Sequence, residues 1–206
     1  MRTLVIATRN AHKTVEIRQI LGGNFSFRTL EDFPGAPAIV EDADTFAGNA
    51  KKKAESLARW LSQNVPAFSS YILADDSGLE VDFLDGAPGV HSARFASGNA
   101  AASNSPDSAN NAKLLRLLDG TLPEKRTARF RCVLALSVPV GSEPVFFEGI
   151  CEGRIAAAAS GSGGFGYDPL FIPEGYDRSF AELEEDVKNK ISHRGRALEK
   201  LRQHFG

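Results

Sequence analysis

LVIATRNAHKTVEIRQIL (residues 4–21) passes from an apolar run through a polar loop into an amphipathic segment, and that succession is the signature of an α/β chain. Leu4-Val5-Ile6-Ala7 reads as a short buried strand. Val15, Ile17, Ile20 and Leu21 recur at helical spacing, and Gly22-Gly23 closes the helix. The loop between them, Thr8-Arg9-Asn10-Ala11-His12-Lys13, offers hydroxyl, amide and ammonium donors where a helix begins. Backbone N–H groups point outward there, so the arrangement suits a chain of phosphates. The loop lacks the glycines of a Walker A motif. The same residues also read as a helix cap followed by a solvated lysine.

Further along, Pro34 to Pro37 is a break, and Thr45 is a good N-cap for a second helix. Phe46, Ala50, Leu57 and Leu61 fall on one face of it, with Ala54 and Ala58 beside them. At about 100° per residue Lys53 borders that stripe while Lys52 points into solvent. Tyr71-Ile72-Leu73-Ala74 predicts a strand ending at Asp75-Asp76-Ser77-Gly78, and Leu79, Val81 and Phe83 predict another. Residues 96–109, rich in Ala, Ser, Asn and Gly, read as a mobile loop. Leu114, Leu115, Leu117 and Leu118 mark a helix closed by Gly120. Ala128, Phe130, Cys132, Leu134, Leu136 and Val138 keep a period of two, with 145–147 and 149–155 as neighbours in an antiparallel meander. The last helix starts near Ser192, and Ala197, Leu198, Leu201 and Phe205 form its buried stripe.

A chain of 206 residues can hold one sizeable core or two closely joined lobes. No linker separates independent domains, so residues 1–206 are read as a single domain. The net charge of -2 argues against sequence-independent nucleic-acid binding, which needs a surplus of Lys and Arg. Cys132 and Cys151 lack metal-ligand spacing and read as reduced, buried thiols of a cytosolic protein. The apolar run at the N-terminus is too short for a signal peptide, and no stretch could span a bilayer, so the expected location is cytoplasmic.

Several other stretches carry chemistry. Asp75 and Asp76 are adjacent, so extended backbone sends their carboxylates to opposite sides. One could face a ligand while the other caps the Ser77-Gly78 turn. With Glu41 from a separate segment, a carboxylate there would suit Mg²⁺, which takes oxygen ligands and shares its shell with water and phosphates. The pair also fits plain turn residues. Phe165-Gly166-Tyr167-Asp168 lies in a glycine-rich loop, where backbone approaches a planar ligand closely and an aromatic ring can stack on a base. A tight turn with Phe165 in the core fits as well. Lys188 and Ser192-His193-Arg194 group donors at a helix start. Pointed at a purine, Arg and His favour a 6-oxo acceptor over the 6-amino donor of adenine. A cation in a first helical turn opposes the helix dipole, which marks Arg194 as kept for function.

Taken together these stretches resemble the inosine triphosphate pyrophosphatase family, the dITP/XTP pyrophosphatases. The matching segments are Thr8-x-Asn10-x-x-Lys13, Thr45-Phe46 with Asn49-Ala50 and Lys53-Ala54, Ala74 to Leu79, Gly86 to Val90 leading to Ser92-Ala93-Arg94, Phe130-x-Cys132, Gly163 to Pro169, and Lys188 with Ser192 to Gly195. They run in family order along the whole chain, and their combination is specific although each motif alone is weak.

The resemblance implies an α/β fold with a long mixed central sheet and two α/β lobes around a deep nucleotide-binding cleft, as a homodimer. It implies Mg²⁺-dependent hydrolysis of non-canonical purine triphosphates (dITP, ITP, XTP) to the monophosphate and pyrophosphate, cleansing the nucleotide pool. By position, Thr8 to Lys13 cradle the phosphates, and Lys53 and Lys188 reach them. Asp76 is the catalytic acid–base residue and a metal ligand, Glu41 is the other metal-binding carboxylate, and Ser77 contacts substrate. Phe165, Gly166, Tyr167 and Asp168 enclose the base, which His193 and Arg194 read. One departure stands out: the family usually has Glu before Asn49-Ala50, and Gly48 occupies that place here. A pyrophosphatase for modified pyrimidines and a non-catalytic nucleotide sensor are the alternatives, the second favoured only by Gly48.

Overall fold

The computed structural model describes residues 2–97, 104–138 and 143–206. Among the described residues six strands and five helices follow one another: β1 (Arg2–Ile6), α1 (Ala11–Leu21), β2 (Phe25–Thr29), α2 (Phe46–Asn64), β3 (Tyr71–Val81), α3 (Asp107–Leu117), β4 (Thr127–Ser137), β5 (Val145–Ile155), β6 (Phe171–Pro173), α4 (Glu185–Ile191) and α5 (His193–Phe205). The strands form one mixed sheet in the order β2-β1-β3-β4-β5-β6. β1 runs parallel to both neighbours, with Leu4 opposite Phe27 on one side and Tyr71 on the other. β6 runs antiparallel to β5. The α/β reading and the mixed sheet therefore hold. β2, β6 and α4 are short elements that the periodicity did not single out.

The chain divides into two compact units. The first comprises Met1–Asp76, Cys132–Gly149 and Arg194–Gly206. Its core gathers Leu4, Ile6, Ile17, Leu21, Leu73, Leu134, Leu198 and Leu201 from β1, α1, β3, β4 and α5. The predicted stripes of α1 and α5 supply it. Val15 is the exception, half exposed on the outer side of α1. The second unit comprises Ser77–Arg131 and Ile150–His193. Leu79, Val81, Leu114, Leu118, Phe130, Phe171 and Phe180 pack at its centre. The predicted face of β4 is buried from Ala128 to Leu136, but burial alternates only as far as Cys132; from there to Ser137 both faces are covered, and Val138 lies beyond the strand end and is exposed.

Three expectations change. Tyr71 to Val81 is one continuous strand, so Asp75-Asp76-Ser77-Gly78 is strand interior and makes no turn. Sheet neighbours on both sides of β3 overrule the local turn preference of Asp, Ser and Gly. Phe83, expected to extend the strand, sits in a short 3₁₀ turn and is half exposed. Of the loop expected over 96–109, residues 98–103 lie outside the described residues, and 107–109 already belong to α3.

Candidate active site

The loop after β1 is organised by its own side chains. Asn10 caps α1, its side-chain oxygen accepting from the Lys13 amide at 3.2 Å, and the Asn10 amide donates to the Thr8 hydroxyl at 3.1 Å. That cap turns Lys13 toward β3, where its ammonium lies 2.5 Å from Asp75. Ala11 and His12 are exposed, and Arg9 donates to the Ala36 carbonyl at 3.1 Å.

On β3 the two aspartates take separate partner sets, as strand alternation requires. Asp75 is fully buried. It accepts from Lys13, from Arg194 at 2.8 Å and from the Cys132 thiol at 3.4 Å. Burial alone would raise its pKa, but the charges of Arg194 and Lys13 win and hold it well below the usual carboxylate range. Asp76 accepts from Lys53 at 2.7 Å and from the Asn49 amide at 3.3 Å. Here burial wins. Lys53 and Lys13 pull downward and Glu41 pushes upward, and the Asp76 pKa is pushed up to about 6. A carboxyl group balanced near neutrality, beside a lysine, is suited to accept a proton.

Helix α2 presents Lys53 and Asn49 to Asp76 from its buried face, one turn apart. Lys53 is 7% exposed and also donates to the Asp75 carbonyl at 2.9 Å. Lys52 points outward to Asp42, as predicted. Glu41 completes the group, 3.2 Å from Lys53 and hydrogen-bonded with Asp76. Burial raises its pKa, but Lys53 and the hydrogen bonds lower it further, so Glu41 is ionised where Asp76 is poised. Two converging carboxylates of hard oxygen donors fit Mg²⁺, whose remaining positions go to water and phosphate. Among the described residues, no set of three or more His, Cys, Asp or Glu forms a closed metal cage.

Arg194 is held by carboxylates. It is 1% exposed and pairs with Asp75 and with Glu16 of α1. These partners offset the cost of a cation in the first turn of α5. Glu16 escaped the sequence reading. Its only signal was an acidic residue three positions after Lys13, on the same face of α1.

In the second unit the glycine-rich loop is pinned by Asp168, which accepts from the Phe165 amide at 2.9 Å and from Lys188 at 2.6 Å. The Lys188 ammonium stands 5.2 Å from the centre of the Phe165 ring, so it sits with the aromatic loop. Tyr167 is buried, its hydroxyl donating to the Ser92 carbonyl at 2.8 Å. Gly166 donates to Asp107 and accepts from Asn111, both on α3. The His193 ring stacks on Phe130 with centres 4.7 Å apart and planes 12° from parallel. Ser77 is half-buried on β3.

The family model described as the Ham1 family matches residues 4–204. The chain belongs to the Ham1 family. A dITP/XTP pyrophosphatase of Shouchella clausii (strain KSM-K16) is 45% identical over 203 residues, covering 98% of this chain and 96% of that protein. One from Geobacter sulfurreducens is 49% identical over 207 residues, covering 100% and 98%. Among solved structures, a HAM1 protein from Coxiella burnetii matches with a TM-score of 0.84 at 36% identity, covering 100% of this chain and 98% of that one. This Ham1-family chain thus matches its relatives along both units. No helix of the described residues is long and apolar enough to cross a membrane.

Proposed function

We propose that this Ham1-family protein is a dITP/XTP pyrophosphatase, hydrolysing non-canonical purine nucleoside triphosphates to the monophosphate and pyrophosphate. The full-length similarity to proteins of that name supports the reaction. The observation that carries the mechanism is Asp76: a buried carboxyl with its pKa near 6, held between Lys53, Asn49 and Glu41.

Thr8 to Lys13 and Lys53 receive the triphosphate. Asp76 takes a proton from water as the water oxygen bonds to the α-phosphorus, and the bond to the α–β bridging oxygen breaks, releasing pyrophosphate. Lys13 and Lys53 offset the negative charge that this step concentrates. Glu41 and Asp76 would hold Mg²⁺, which would supply further charge neutralisation at the phosphates. Arg194 acts through Asp75, keeping that carboxylate ionised so that it aims Lys13. Phe165 to Asp168 enclose the base and His193 reads it, offering ring faces and donors, while Lys188 is a further cation for the phosphates. The active form in this reading is a homodimer.

A panel of dITP, XTP, dGTP, dUTP and dTTP, scored by pyrophosphate release against Mg²⁺ concentration, tests the proposal. Release from dITP and XTP far above the others is expected. A dominant pyrimidine signal overturns the purine assignment, and tight nucleotide binding with no release at any Mg²⁺ concentration overturns catalysis.

A further inference from the structure

Gly48 occupies the third position of α2, directly after the Thr45 cap. Its backbone is ordinary helix, in which any residue fits, so glycine is not demanded by backbone conformation. What it provides is space. A Cβ built at this position would stand 2.8 Å from the Ala43 Cβ and 3.0 Å from the Thr45 hydroxyl oxygen. Methyl carbons do not approach that closely without a neighbour moving.

Both neighbours are tied in place. The Ala43 amide donates to the Asn49 side-chain oxygen at 2.9 Å, and the Thr45 hydroxyl accepts from the Gly48 amide at 3.0 Å. Asn49 uses its other end on Asp76, at 3.3 Å. Two residues before Ala43, Glu41 reaches Lys53 at 3.2 Å. Displacing Ala43 therefore breaks the bond that orients Asn49, and it moves the strand of chain that carries Glu41.

We propose that Gly48 is a positioning residue: lacking a side chain, it lets residues 42–45 close on the first turn of α2, which sets Glu41 beside Lys53 and Asn49 against Asp76. The proposal rests on the reading that Glu41 and Asp76 together hold Mg²⁺.

Helix propensity and strap closure predict opposite signs for Gly48→Ala. Propensity favours alanine and predicts a melting temperature raised by roughly 2–4 °C in a protein of this size. Closure predicts a fall. The experiment compares the unsubstituted protein, Gly48→Ala, Ala43→Gly and the double variant in two readouts. One is the melting temperature without metal. The other is Mg²⁺ affinity from calorimetry without nucleotide, with dITP turnover as a companion. Gly48→Ala is expected to melt lower and to bind Mg²⁺ on the order of tenfold more weakly, as when a residue supporting a metal ligand is lost. Removing the opposing methyl in Ala43→Gly/Gly48→Ala is expected to recover much of both relative to Gly48→Ala alone. A higher melting temperature for Gly48→Ala with unchanged Mg²⁺ affinity overturns the proposal, as does a double variant no better than the sum of the singles. If the unsubstituted protein neither binds Mg²⁺ nor releases pyrophosphate, the functional reading fails instead, and the melting temperatures still decide whether residue 48 controls the strap.

Discussion

At the scale of single residues, the two adjacent aspartates show how environment divides one residue type into two roles. Asp75 meets two cations and stays ionised; Asp76 is also buried but more weakly compensated, and its pKa is pushed up to about 6. Replacing Asp76 by Asn is expected to lower dITP turnover by about 10²–10⁴-fold, the usual worth of a positioned general base, while nucleotide binding persists. Near-normal turnover in that variant sinks the assignment. The unsubstituted enzyme should lose activity as the pH falls through about 6, because protonated Asp76 cannot accept a proton. A cation bound at the carboxylate favours its charged form, so raising Mg²⁺ should move this acid limb to lower pH. A pH profile that ignores Mg²⁺ would detach Asp76 from the metal.

At the scale of elements, α1, β3 and α5 are joined by a row of alternating charge: Glu16, Arg194, Asp75 and Lys13. Arg194→Ala removes the cation shared by two buried carboxylates, leaving Asp75 with Lys13, and is expected to cost about 3–5 kcal/mol in urea unfolding. Asp75 has a depressed folded pKa, so its contribution to stability is present above the unfolded value of about 3.9 and is lost as pH falls through the folded value. Without Arg194 the folded value rises, and acid unfolding should begin at a higher pH. Lys52→Ala on α2 is the contrast. Its pair with Asp42 is exposed, and the change should stay within about 1 kcal/mol of neutral. If Arg194 reads the base directly, Arg194→Ala should shift the ratio of dITP to dATP hydrolysis. If it acts through Asp75, turnover falls for both nucleotides and the ratio holds.

At the scale of the whole molecule, each unit has its own core, and each can be probed by itself. Leu201→Ala in the first and Leu114→Ala in the second should each cost about 2–5 kcal/mol, since both side chains are fully buried. Light scattering of the purified chain measures its assembly. A homodimer gives twice 22.2 kDa, and a mass equal to one chain at enzymatic concentrations removes the dimer from the proposal.

The sequence by itself determined the class of fold and the identity of the chemical groups. Residues 4–21 announce strand, loop and helix because burial on one face imposes a period that local composition must obey. Lys53 could be placed at the edge of the α2 stripe, and it lies there, buried. Pairing was another matter. That Asp75 and Asp76 sit inside a strand depends on neighbours far along the chain, which outweigh the turn preference of Asp-Ser-Gly. Arg194 stood out in the sequence as a cation at a helix start, but its partners Glu16 and Asp75 lie 178 and 119 residues away. In the sequence Gly48 is a departure from the family pattern, and only the folded chain shows that Ala43 occupies the space beside it. Periodicity is written locally because it reflects one face of one element. Charge compensation and steric fit are properties of pairs, and the tertiary structure alone decides which residues become pairs.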